Sequence, residues 1–119
     1  MSNTRRSDTF RNEITDAFDL DPDHARIVDQ AARILDELAL MESAVSEYGP
    51  IVQGRYGPQI NPALEQADKH RKTFMALLKS LNLPRETHAE IVDMTEAAAS
   101  KARSDAARKA ARARWGNRG

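Results

Sequence analysis

Residues 21–50 read DPDHARIVDQAARILDELALMESAVSEYGP, and this stretch decides the fold. The Asp21 side chain suits the cap of a helix, Pro22 suits its first position because the missing N–H is not needed there, and Asp23 favours the positive end of the helix dipole. A long helix is predicted to start here. Ile27, Ala31, Ile34, Leu38, Met41, Val45 and Tyr48 then recur in alternating steps of four and three, the seam of a coiled coil, and Val28 and Leu35 widen it. A stripe this broad needs a second helix and a further neighbour to cover it. Gly49-Pro50 ends the helix, since glycine accepts a left-handed cap and the proline ring cannot continue the ladder.

Downstream the texture changes. Ile51-Val52-Gln53 and Gln59-Ile60 flank Gly54-Arg55-Tyr56-Gly57-Pro58, which predicts a short β-hairpin or extended excursion. Asn61-Pro62 repeats the cap-and-proline device, and Leu64, Ala67, Phe74, Leu78 and Leu81 continue a helical pattern over 62–81. Arg71 interrupts that seam, its stem able to pack while the guanidinium reaches water. Asn82-Leu83-Pro84 is the stop. Upstream, Phe10, Ile14, Ala17 and Phe18 predict a short amphipathic helix after a flexible stretch at 1–9. The reading is all-α: an antiparallel helical hairpin over 10–84 with a β excursion at its tip. Ile27, Ile34, Leu38, Met41, Val45, Phe74, Leu78 and Leu81 are predicted to hold the hairpin or a contact between subunits.

The chain has 119 residues, enough for one domain plus a tail, and few aromatic rings, so self-association is an expected source of further buried surface. It has no cysteine, which removes disulfides, thiolate nucleophiles and thiolate-bound zinc. The first residues carry no apolar signal-peptide core, and no run is apolar enough to span a membrane.

Charge is distributed unevenly. The chain balances 18 basic against 18 acidic residues, yet residues 101–119 hold seven basic ones and a single acid, Asp105. The first hundred residues therefore carry about −6 and the last nineteen about +6. Within 85–119 Ile91 and Met94 are the last large aliphatics, and alanine dominates beyond them, which predicts an Ala- and Arg-rich basic segment, helical or disordered, weakly anchored to the body. Lys101, Arg103, Arg108, Lys109, Arg112, Arg114 and Arg118 are the candidate contacts to an anionic partner, with nucleic acid foremost. Trp115 could stack on a base, pack on the body or anchor to a protein. On a helix Lys101, Arg108 and Arg112 share one side and Arg103 and Arg114 lie elsewhere, an arrangement suited to phosphates more than to base edges.

Other signals are weaker. Asp19, Asp21 and Asp23 have the spacing that opens a calcium loop, but His24 and Gln30 stand where that loop needs glycine and glutamate. His24, His70 and His88 lie far apart, and no metal ligation is expected from them. Gly54-Arg55-Tyr56-Gly57 is a tight turn and not a dinucleotide loop. Glu65 with Asp68, and Glu37 with Glu42, read as solvated helix faces. No set of residues forms a catalytic constellation, and neither enzyme activity nor a cofactor is expected.

Taken in order, Leu20-Asp21-Pro22, Ile34-Leu35-Asp36-Glu37-Leu38, Gly54-Arg55-Tyr56-Gly57-Pro58, Asn61-Pro62-Ala63-Leu64 and Leu81-Asn82-Leu83-Pro84 resemble the small terminase subunits of tailed bacteriophages. The likeness is to a short form common in phages of actinobacteria, covers about residues 10–85, and extends to the tail at 106–115. It implies a non-enzymatic packaging factor working in the cytoplasm of the infected bacterial host. Such a factor is a homo-oligomer, usually a ring, that binds double-stranded viral DNA and delivers it to a large terminase subunit carrying the ATPase and nuclease. Many members bind DNA through an N-terminal helix-turn-helix, for which residues 1–20 are too short. DNA binding is then expected from the basic tail or from a patch around Arg55, Lys69, Arg71 and Lys72. A small dimeric DNA-binding regulator, or a helical adaptor whose tail docks an acidic protein, would share the same tail.

Overall fold

The computed structural model describes residues 5–116, the side chains of 17 and 113–116 excepted. Four helices and one hairpin follow in order: α1 (Arg6–Ala17), α2 (Pro22–Tyr48), β1 (Ile51–Gly54), β2 (Gly57–Ile60), α3 (Pro62–Ser80) and α4 (Arg85–Gly116). The chain is all-α apart from the hairpin. Its radius of gyration is 17.0 Å, against about 13–14 Å for a compact chain of this length. The elongation comes from α4, whose 32 residues span about 48 Å at helical rise.

Both predicted helix starts form as read. The Asp21 carboxylate accepts from the His24 N–H at 2.8 Å, and the Asn61 side-chain oxygen accepts from the Ala63 N–H at 3.0 Å, each with proline in the first turn. Gly49 ends α2 at φ 79°, its N–H reaching the Val45 carbonyl at 3.0 Å, and Asn82 takes φ 52° beyond α3. Between these helices β1 and β2 pair antiparallel, with Ile51 opposite Ile60 and Gly54 opposite Gly57. The Asn61 N–H donates to the Pro50 carbonyl at 2.8 Å, which fixes the phase of the ladder. In that phase Pro58 sits at a position whose N–H would point away from β1, so the ring removes nothing from the pairing.

Asn61 is the clasp of the tip. It is buried, and its amide nitrogen donates to the Gly49 carbonyl at 2.9 Å and lies 3.4 Å from that of Ala44, joining the end of α2 to the start of α3.

The main core lies at the other end of the hairpin. Phe10 and Ile14 of α1, Leu35 and Leu38 of α2, Phe74 and Leu78 of α3 and Ile91 of α4 are fully buried together. The Phe10 and Phe74 rings meet edge to face with centroids 5.4 Å apart. Each such side chain contributes about 1.5–3 kcal/mol of burial.

This packing corrects two expectations and decides between the alternatives of a third. Helix α1 begins at Arg6, inside the stretch expected to be flexible, because that stretch has partners: the Ser7 hydroxyl donates to Asp36 at 2.6 Å, Arg6 pairs with Glu42, and Arg5 stands 3.6 Å from Asp36. The centre of the α2 stripe runs through Val28, Ala31, Leu35, Leu38, Glu42 and Val45. Ile27, Ile34 and Met41 are only partly buried at its edge, and Tyr48 is exposed, since helices on both sides rotate the buried face by one residue. The basic segment is a continuous helix packed along α2, and its anchor is a small-residue stripe in place of large aliphatics.

Candidate nucleic-acid interface

Helix α4 is held by Ile91, Thr95, Ala99, Ala102 and Ala106, which recur in steps of four, four, three and four and are all buried. The Thr95 hydroxyl satisfies itself on the Ile91 carbonyl at 2.9 Å. Ala102 and Ala106 pack on Val45 of α2, flanked by Ala63 and Leu64 of α3. Methyl groups bury little area, but they let two helices lie close. A Cβ built on Gly49 would stand 4.0 Å from the Ala106 carbonyl oxygen.

That anchored stripe fixes where the cations point. On one flank, Lys101, Arg108, Lys109 and Arg112 line a groove of about 750 Å³ between α4 and α2, together with Arg6, Glu42, Glu47 and Asp105. On the other flank, Arg103 lines a cleft of about 650 Å³ with Ser100 and Glu96 of α4 and with Arg71, Lys72 and Met75 of α3. The structure thus brings four of the predicted contacts to one groove and separates Arg103 from them. Arg114 lies in the last turn of α4 with its side chain outside the described residues, as does Trp115, and Arg118 is itself outside them. Of the alternative patch, Arg55 sits at the hairpin turn over the Tyr56 ring, Lys72 stands 3.5 Å from Asp68, and Arg71 is turned inward.

Asp105 is the one acid of the basic segment, and it latches two cations. Lys101 Nζ donates to it at 2.9 Å and Arg108 pairs with its other oxygen. The Lys101 hydrogen bond, aided by Arg108, holds the Asp105 carboxyl below its ordinary value. Among the described residues Arg103, Lys109 and Arg112 have no carboxylate within ion-pair distance. These three are free cations of the segment from Lys101 to Arg112.

Sequence reasoning missed two members of this region. Glu42, expected on a solvated face, is 5 % exposed and accepts from Arg6 Nη2 at 2.6 Å. Arg71 approaches its other oxygen to 3.8 Å, so one carboxylate stands between guanidinium groups from α1 and α3. Arg6 Nη1 and Glu42 Oε2 have no direct hydrogen-bond partner among the described residues. The signal was available: Glu42 lies four residues after Leu38 and three before Val45, on the apolar stripe itself.

Among the described residues no cluster of His, Asp and Glu could hold a metal ion, and no helix is long and apolar enough to cross a membrane. Leu40, Tyr48, Ile51, Tyr56 and Ile60 are large apolar side chains that the chain leaves uncovered. No family model, curated protein or solved structure matches the chain.

Proposed function

We propose that this protein is a phage DNA-packaging factor of the small-terminase kind, which self-associates, binds viral duplex DNA through α4 and presents it to a large terminase subunit. The observation that carries the reading is the fixed row of Lys101, Arg108, Lys109 and Arg112 on a helix docked to an otherwise acidic body. A row of cations at helical spacing meets the charge density of a nucleic-acid backbone, and oligomerisation multiplies each weak contact. Uncovered Tyr48, Ile51, Tyr56 and Ile60 around the hairpin supply apolar surface for assembly. The ordered motifs from Leu20-Asp21-Pro22 to Leu81-Asn82-Leu83-Pro84 support the packaging role.

The test uses the full chain with Lys101, Arg108 and Arg112 all changed to Gln. Duplex binding should weaken, and the slope of log K against log salt should become shallower by about 2–3, near 0.9 for each phosphate that is no longer neutralised. The native mass should stay above that of a dimer, which separates a packaging oligomer from a dimeric regulator. Unaltered DNA binding by the triple variant would refute the role of α4.

A further inference from the structure

We infer that the second half of α4, from about Ser100 onward, docks lengthwise in the major groove of B-form DNA, its two cationic flanks each facing one of the two sugar-phosphate backbones. The inference rests on the DNA-binding reading above and adds the geometry of the complex. At about 100° per residue, the buried stripe of Ala99, Ala102 and Ala106 sets the azimuth of every other side chain on the helix. Lys101, Arg108 and Arg112 then project to one side and Arg103 to the other, the latter joined by Lys72 across the α3 cleft. Between the two rows stand Ser104 and Ala107, both exposed, with Ser100 at the edge of the cleft that Arg103 lines. Over this half of the helix the cations are therefore divided by an uncharged ridge.

A helix with its side chains is about 10–12 Å across, and the major groove is about 12 Å wide. Charges on both flanks of one helix serve a ligand that has anions on both sides of it, as that groove does. A single strand, or a duplex touched along one backbone, would engage one flank and leave Arg103 and Lys72 idle. The ridge lacks the long amides and guanidinium groups that read base edges, so the fit selects the form of the duplex and tolerates its sequence. Duplex RNA provides the contrast, because its A-form major groove is deep and narrow and does not admit a helix.

The experiment measures binding of the full chain to fluorescent DNA and RNA duplexes of equal length and sequence at one salt concentration. DNA should bind at least about tenfold tighter, the scale of one or two good contacts. Ala107→Phe should cost DNA affinity a similar factor with helix content unchanged, while Ala76→Phe on the exposed side of α3 should bind as the parent does. Lys72→Gln with Arg103→Gln should lower the salt slope, as neutralising the opposite flank does. Equal affinity for the two duplexes, or an Ala107→Phe variant that binds normally, overturns the groove placement and leaves DNA binding itself standing. Failure of the unsubstituted chain to bind either duplex removes the DNA reading and this inference with it.

Discussion

The two ends of the helical hairpin are built from different materials. At the base Phe10, Ile14, Leu35, Phe74, Leu78 and Ile91 fill a core contributed by all four helices. Toward the tip the contact between α2 and α4 is Val45 against Ala102 and Ala106. A buried leucine or phenylalanine contributes about 1.5–3 kcal/mol, whereas each methylene-sized group contributes about 0.8 kcal/mol, so the base holds the molecule together and the tip adds little. The cations lie on the weakly held half. Alanine serves there because it brings the charged helix close to the body without thickening it, and the stability this forgoes is supplied at the base. The charged end of α4 is accordingly expected to open locally at lower cost than the core.

Three changes test that contrast, beginning with the most severe. Phe74→Ala removes the ring that meets Phe10 and should destabilise the whole molecule by about 4 kcal/mol in denaturant titration. A much smaller loss would mean that the base is not the anchor. Glu42→Gln leaves Arg6 and Arg71 facing each other without their shared carboxylate, at the junction of base and tip. A loss of roughly 2 kcal/mol is expected, below the range for fully buried pairs because both guanidinium groups retain some solvent contact. A neutral outcome would show that the apolar packing alone seats α1.

The mildest test compares two carboxylates, one at each end. Asp21 is held below its ordinary value of 3.8 chiefly by the backbone N–H of His24, and Asp105 below the same value chiefly by Lys101. Depressed in the folded state, each contributes stability that is present above its unfolded pKa and disappears as pH falls through the folded one. Lys101→Gln should move the Asp105 titration, followed by carboxyl NMR, back toward 3.8 and leave Asp21 unchanged. Parallel movement of both would contradict local control at the tip.

Much of this was legible in the chain because it depends on neighbours in sequence. Asp21-Pro22, Asn61-Pro62, Gly49-Pro50 and Asn82-Leu83-Pro84 are local devices, and each acts as its residues dictate. The phase of the α2 stripe was not legible to one residue, since which edge is covered depends on helices that arrive from elsewhere. Ile34 and Leu35 are equally apolar, and only the packing of the other helices on α2 decides that Leu35 is the buried one. The same holds for Arg6 and Glu42, 36 positions apart, whose pairing no local pattern encodes. For the candidate interface, the identity of the cations was plain from composition. Their separation around the helix was legible too, from spacing alone; which side faces α2 and which faces α3 was not, because that requires the azimuth set by the buried alanines.

The clasp at Asn61 has a chemical consequence beyond its hydrogen bonds. Its side chain donates to the end of α2 and accepts from the start of α3, a combination that a neutral amide supplies and an ionised carboxylate does not. An aspartate there would set a negative oxygen against the Gly49 carbonyl. Asparagine ordinarily ages to aspartate when the backbone nitrogen of the next residue attacks the side chain and closes an imide ring. Here that nitrogen belongs to Pro62 and carries no hydrogen, so the common route is closed. The residue pair that starts α3 also protects the joint against the chemistry most able to undo it over the lifetime of the protein.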